Sequence, residues 1–457
     1  MIKTKDNCHP SKQSPELDKA AAKKIGNRLQ LTIDDYISKK NDSNVLFSFF
    51  SNPKKQASKN ADGLIIDVQK CDAGFSVQTG NYVGKLTWEG LEIRIDSRFG
   101  RKFLERMLNF ANDIFLDDVQ LFGNLSKEFD LSKFIIYYLF VQKLEKSFLL
   151  GLPKTYQNVR HHDLKLKGKI DINRLIKHDI PFLGKLSSVG REQQEVQEVI
   201  DVLYKAIKVV ENSGINITQN ISKIKTHLKQ HKSNSLVSNK LINQALSSKA
   251  LANPIFAPYK MVIEYAKLII NGDNIEERQK GKKSTFGFLI NVAELFEIYV
   301  TKLLKRHFPD WIVDSPKIEL YKGLFYERFI IPDIVMTKET DVIVFDTKYK
   351  RMNFTGKNIY GSGDLDRNDF FQINTYMSHY QNHGELNLKL GGLLYPIETK
   401  LDSEKCHSPA WFGNDKTKFI VDGIELAGLK DDGDIIEDIK GREIDFINRI
   451  KKLIKAA

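Results

Sequence analysis

At 457 residues the chain exceeds one ordinary hydrophobic core, so two or three domains are expected. Its 41% hydrophobic content excludes wholesale disorder. A net charge of +12, from 70 Lys and Arg against 58 Asp and Glu, favours a polyanionic partner and says nothing about fold.

The opening "MIKTKDNCHPSKQSPELDKAAAKK" is polar and lacks the apolar run of a secretory signal. The first sixty or so residues read as a polar tail, a helix and a loop at "SNPKKQASKN". Between 63 and 98 come short strand-like runs: "GLIIDV", "GFSVQTG", "YVGKLTW" and "LEIRIDSRF". Of these, "GLEIRID" alternates with period two. Residues 101–150 carry apolar positions at helical spacing in "RKFLERMLNFANDIF" and "LSKFIIYYLFVQKLEKSFL". Their most apolar piece, "FIIYYLFV" at 134–141, is too short to span a bilayer.

"LKLKGKIDINRLIKH", at 164–178, reads as a basic strand-like segment. Residues 191–270 read as helices broken at "ENSGINITQN" and "HKSNSLVSNK". The charged, glycine-punctuated "NGDNIEERQKGKKSTFG", 271–287, is expected to be a linker. The three cysteines, Cys8, Cys71 and Cys406, form no CxxC pair, which argues against a disulfide framework or structural zinc. A cytoplasmic protein with no membrane contact is expected.

Beyond the linker, a helix "FLINVAELFEIYVTKLLKRHF" leads to strands "IVDSPKIEL", "FIIPDIVM" and "DVIVFDTKYK". The helix "NDFFQINTYMSHYQ" then precedes a strand "LGGLLYPIE". Strand, crossover helix, strand signals a mixed α/β sheet. The expected whole is an α+β multidomain protein: an N-terminal β-rich module with its polar tail over 1–125, a mainly helical middle region over 126–275, and a C-terminal α/β domain with a mixed sheet over 276–457.

The chemistry concentrates in "IIPDIVMTKETDVIVFDTKYKR", residues 330–351. A hairpin there brings Asp333, expected near mid-strand, towards Asp346 and Lys348. Those two lie two residues apart and therefore on one face. Two neighbouring carboxylates repel, and a divalent oxygen-seeking ion such as Mg²⁺ removes that conflict. A lysine beside them can orient water or offset phosphate charge, as metal-assisted phosphodiester hydrolysis requires. The DxK pattern alone is weak, because it also occurs at Asp163–Lys165 and Asp438–Lys440, with an ExK rival at Glu398–Lys400. Context separates the 346–348 pair. The upstream helix carries Glu294 and Glu297, and the downstream helix carries Asp369, Gln372 and Tyr376, the last two on one face.

Together these pieces resemble the PD-(D/E)xK nuclease superfamily, with "QINTY" similar to the QxxxY element of its RecB-like branch. More narrowly, "ELFEIYV", "IIPDIVM", "FDTKYK", "DFFQINTYM" and "GGLLYP", with "NYVGKLTWEGLEIRI" and "LKLKGKIDINRLI" upstream, resemble the McrC family, the nuclease subunit of McrBC-type restriction systems. The resemblance covers most of residues 75–400. It implies that Asp333 and Asp346 are metal ligands for Mg²⁺ (or Mn²⁺) and that Lys348 is the catalytic lysine. Glu297, rather than Glu294, matches the helix glutamate; Gln372 and Tyr376 match the downstream helix. "LKLKGKI" departs from the family by carrying lysines where an arginine is expected before the glycine.

The resemblance also implies DNA as substrate and a hexameric McrB-like AAA+ GTPase as partner, docked through the N-terminal half and middle region. The chain lacks a GxxxxGK[ST] phosphate loop, since "GKKSTFG" misses the leading glycine spacing, which fits a division of labour. Two alternatives remain: a non-catalytic adaptor that activates an AAA+ ring, and a stand-alone DNA repair nuclease.

Overall fold

The computed structural model describes residues 1–8, 16–38, 63–72, 74–111, 131–213, 221–278, 286–321, 323–350, 352, 365–402, 406–429 and 435–455. It has two compact units. One combines 1–119 with 284–457 and the other spans 120–283. The expected loop at 51–60 lies outside the described residues.

In chain order, the first unit begins with β1 (Ile2–Lys5), β2 (Glu16–Leu17), α1 (Lys19–Ile25), β3 (Arg28–Thr32) and α2 (Ile33–Ser38). It continues through β4 (Leu64–Cys71), β5 (Gly74–Thr79), β6 (Tyr82–Trp88), β7 (Leu91–Asp96) and α3 (Arg101–Ala111). The strand-like runs at 63–98 therefore form strands. The polar tail contributes one too, because β1 pairs in parallel with β7, Ile2 beside Ile93. Ile2 is fully buried among Ile93, Ile95, Leu86 and Leu289, which explains why a segment that reads as polar is ordered.

The second unit holds α4 (Leu131–Phe148), β8 (Lys154–Asp163), β9 (Lys169–Ile170), α5 (Ile172–His178) and β10 (Leu186–Glu195). The helices α6 (Gln197–Asn212), α7 (Ser222–His231), α8 (Asn239–Leu246) and α9 (Tyr259–Arg278) follow. β8 and β10 pair antiparallel along ten residues each, and β9 adds to the other edge of β10. The basic segment 164–178 is mostly not a strand. Only Lys169–Ile170 pairs, and Asp171 caps α5 by accepting from the Arg174 N–H, so a capping aspartate outweighs the apparent alternation. The expected linker also changes, because α9 continues helical to Arg278 and Phe286–Gly287 already belong to the next strand. Its residues 279–285 lie outside the described set. In α6 the residues Val199, Val202, Leu203, Ala206 and Val210 are buried at helical spacing, which supplies this unit's apolar core.

The first unit resumes with β11 (Phe286–Asn291), α10 (Val292–His307), β12 (Ile312–Asp314), β13 (Ile318–Glu319), β14 (Phe329–Ile330), β15 (Ile334–Lys338) and β16 (Asp341–Thr347). It ends with α11 (Arg367–Gln381), β17 (Asn387–Ile397), β18 (His407–Ser408), β19 (Lys418–Glu425) and α12 (Ile435–Lys455). β11 pairs antiparallel with β6, so this segment completes a five-stranded sheet begun near the N-terminus. The expected helix at 288–308 thus starts only at Val292, where Asn291 caps it through the Ala293 and Glu294 N–H groups.

The six-stranded mixed sheet runs β12-β15-β16-β17-β19-β18. β15 and β16 form an antiparallel hairpin, while β16, β17 and β19 run parallel, with α11 as the crossover between β16 and β17. Val342, Ile343, Val344 and Phe345 are all fully buried, worth about 1.5–3 kcal/mol each by apolar transfer. Gly391 explains part of "GGLLYP": a Cβ there would come within 2.4 Å of Met377 Sδ, so glycine lets α11 press against β17. The fold is a mixed α/β architecture with several sheets. No helix among the described residues is long and apolar enough to cross a membrane.

Candidate active site

Alternation along β16 aims the site. Val342 and Val344 pack with Ile373, Tyr376 and Met377 of α11, so Asp346, two positions on, shares the α11 face, and Lys348 continues it. The Lys348 N–H still bonds the Leu394 carbonyl of β17, which holds the lysine to the end of the parallel ladder. Pro332, which has no backbone donor, interrupts "FIIPDIVM" into β14 and β15, so Asp333 sits just before β15 rather than mid-strand. Ile334 pairs with Phe345, which places Asp333 and Asp346 at the same end of the hairpin.

The side chains meet there. Asp333 Oδ2 accepts from the Thr347 N–H at 2.9 Å and from Thr347 Oγ1 at 2.8 Å. Lys348 Nζ lies 2.7 Å from Asp346 Oδ2 and 3.6 Å from Asp369, and it donates to Gln372 Oε1 at 2.8 Å. Gln372 Nε2 donates to the Tyr376 hydroxyl at 2.8 Å; because an ammonium can only donate, Lys348 fixes the amide oxygen towards itself and leaves the amide nitrogen to the tyrosine. Asp346 is 1% exposed, and a carboxylate that deep is costly without a cation. Burial works against the Lys348 ammonium, but Asp346, Asp369 and Asp333 more than offset it and hold its pKa above the ordinary lysine value. Burial also raises the Tyr376 hydroxyl, against the Gln372 hydrogen bond, so both groups are protonated at neutral pH.

Glu297 lies half-buried on α10, a helix that packs against β16. Its neighbour Phe296 meets the ring of Tyr349, the residue after Lys348, at 5.9 Å. Of the six residues singled out in sequence, the structure joins Lys348 directly to Asp346 and Gln372, and Tyr376 through Gln372. Asp333 is tied to the same strand end through Thr347.

Two further residues belong to this cluster. Asp369, on the first turn of α11, accepts from Lys350 Nζ at 3.0 Å while also facing Lys348. Lys350 carried no sequence signal beyond following the DxK motif at the same two-residue step. The wall behind the site comes from the N-terminus. Asn7 Nδ2 donates to the Tyr349 carbonyl, and Arg98 lies between the rings of Phe99 and Tyr349, 4.6 and 4.8 Å from them. The donor set is all oxygen, with Asp333 and Asp346 converging at one strand end. That chemistry fits a hard divalent cation such as Mg²⁺ and does not suit a soft one.

The family model described as "McrBC 5-methylcytosine restriction system component" matches residues 77–396. No curated protein matches the chain. Among solved structures, the chain is similar to the refined half-complex from a tetradecameric assembly of Thermococcus gammatolerans McrB AAA+ hexamers with bound McrC. The identity is 16% and the TM-score 0.49, over 84% of this chain and 85% of that one. It is also similar to the cryo-EM structure of the Thermococcus gammatolerans McrBC complex, at 18% identity and a TM-score of 0.31, over 51% of this chain and 68% of that one. Neither likeness is high enough to transfer a residue's role. The family match covers well over half the length, and on that ground the chain belongs to the McrBC 5-methylcytosine restriction system component family.

Proposed function

We propose that the protein is a Mg²⁺-dependent DNA endonuclease of the PD-(D/E)xK type, acting as the McrC-like subunit of a two-component restriction system. The observation that carries this reading is the linked set Asp346–Lys348–Gln372–Tyr376, with Asp333 at the same strand end, in a chain of this family. Asp333 and Asp346 would hold the cation, Mg²⁺ or Mn²⁺. When bound, it supplies Lewis-acid stabilisation of the charge that builds on the scissile phosphate.

The chain's own residues do the rest. Lys348, kept cationic by its carboxylate neighbours, presents an ammonium to the phosphate or to the attacking water, so it acts as a charge and donor rather than as a base. Gln372 and Tyr376 hold that ammonium at one position. Glu297 is assigned to the same centre as the helix glutamate, on a helix that packs against β16. A net charge of +12 favours approach of the polyanionic substrate.

The partner in this reading is an McrB-like AAA+ GTPase, whose hydrolysis the chain stimulates and whose motor action licenses cutting. The chain lacks a phosphate loop of its own, and the solved Thermococcus gammatolerans assembly has McrC bound to McrB hexamers. Support for docking through the middle region comes from the segment after β8. There Leu164, Ile172, Ile176, Ile180, Phe182 and Leu183 are all exposed, between Lys165, Lys167, Lys169 and Lys177. Reconstitution tests the proposal. The chain, a cognate AAA+ subunit, GTP and Mg²⁺ should together cut methylated or unmethylated plasmid, and omission of either Mg²⁺ or the partner should stop cutting. Cutting by the chain alone without nucleotide points instead to a stand-alone nuclease.

A further inference from the structure

We propose a second metal site, unrelated to the carboxylate centre, in which Glu195, His227 and His231 bind a divalent transition ion of the Zn²⁺ class. His227 and His231 are four residues apart on α7 and so share one face. Glu195 is the last residue of β10, immediately before the turn into α6. His227 Nε2 lies 3.2 and 3.0 Å from the two Glu195 oxygens. The two imidazoles lie 4.4 Å apart at a tilt of 31°, and one ligating atom from each of the three residues lies within 4.8 Å of the others. Donors at ~2.1 Å from a tetrahedral ion sit roughly 3.4 Å apart, so small side-chain rotations close this set around a metal.

The surroundings prepare these residues. His231 Nδ1 is 2.9 Å from the His227 carbonyl, which can only accept, so Nδ1 carries the hydrogen and Nε2 keeps its lone pair. Fixing the tautomer through the non-ligating nitrogen is how metal-binding histidines are usually oriented. The backbone is fixed as well. Gln197 Nε2 donates to the His231 carbonyl and to Asp201, and Asp201 accepts from both the N–H and the hydroxyl of Ser233, each at 2.7 Å. Ile224 and Leu228, which adjoin the two histidines at three- and four-residue spacing on α7, are buried and hold that helix in place. An ordinary His227–Glu195 hydrogen bond accounts for one imidazole. It gives no reason for the second to stack beside it with its tautomer fixed.

Two imidazole nitrogens and one carboxylate select Zn²⁺, Co²⁺ or Ni²⁺ over Mg²⁺. Glu195 and His227 are half-buried and His231 is exposed, which leaves one side of the ion to water and makes its role that of a clasp joining the end of β10 to α7. The test is a Zn²⁺ titration of the chelator-treated full chain by calorimetry, with thermal melting in parallel, comparing wild type, His231→Ala and Glu195→Gln. Wild type should take up one equivalent more than His231→Ala, in the presence of excess Mg²⁺, and should melt higher with Zn²⁺ only when all three ligands are present. Co²⁺ should give a visible absorption band that both variants lose. Because His231 is exposed, its alanine variant should keep the wild-type circular dichroism. Equal Zn²⁺ uptake by wild type and His231→Ala overturns the proposal, and so does no uptake by wild type. Zn²⁺ taken up at Asp333 and Asp346 is common to all three proteins and cancels.

Discussion

Two buried clusters of acids and bases in the first unit are built to opposite rules. In one, Arg106 of α3 makes two 2.8 Å bonds to Glu443 of α12, and the Tyr299 hydroxyl of α10 donates to the same carboxylate at 2.5 Å. Phe110 lies under the guanidinium at 4.6 Å. The guanidinium meets the carboxylate in fork geometry, deep among three helices. In the other cluster Asp333, Asp346 and Asp369 gather around Lys348, which already serves two of them, with the half-exposed Lys350 shared by Asp369. That cluster is rich in carboxylate and open at a strand end. A closed pair joins helices; an acid-rich, half-open one keeps capacity for a cation from outside.

The contrast can be broken from either side. The largest expected stability effect is at the closed pair. Glu443→Ala leaves Arg106 buried without its carboxylate and should cost about 3–5 kcal/mol in denaturant unfolding, with cleavage per folded molecule unchanged. Next is Lys348→Met, which should lower the cleavage rate by about 10²–10³-fold while stimulation of the partner GTPase persists. Gln372→Ala removes the acceptor that fixes the ammonium and should lower cleavage roughly tenfold, the scale of one hydrogen bond to a charged group. Tyr376→Phe acts one step further out, by freeing the Gln372 amide, and should cost only a few-fold, about 1 kcal/mol. If the tyrosine variant proves worse than the glutamine variant, the order of the relay is wrong.

How far these clusters can be read from sequence follows from the range of the signals. The hairpin, the DxK step and the QxxxY helix are local patterns, so the Asp346–Lys348–Gln372–Tyr376 line was legible before any coordinates. Pairings between distant segments were not. Nothing in "MIKTK" announces that it lies beside β7, nor that Asn7 will hold the Tyr349 carbonyl 342 residues away. The stretch after 415 carries no expected element beyond its place in the C-terminal domain, yet β19 extends the sheet and Arg449 of α12 grips Asp422 through Nε and Nη2. Asp171 turned an apparently alternating segment into a capped helix, which is a short-range effect that period counting misses. The His227–His231 spacing is visible in sequence, but its partner Glu195 lies 32 residues away on another element.

The central claim is that the open cluster is the cutting centre and that partner docking is separate from it. Asp346→Asn tests both at once, since it keeps the shape of the side chain and removes its charge. With the cognate AAA+ subunit, GTP and Mg²⁺, the variant should leave plasmid intact while still stimulating GTP hydrolysis at the wild-type rate. Plasmid cleavage at the wild-type rate by Asp346→Asn would contradict the account.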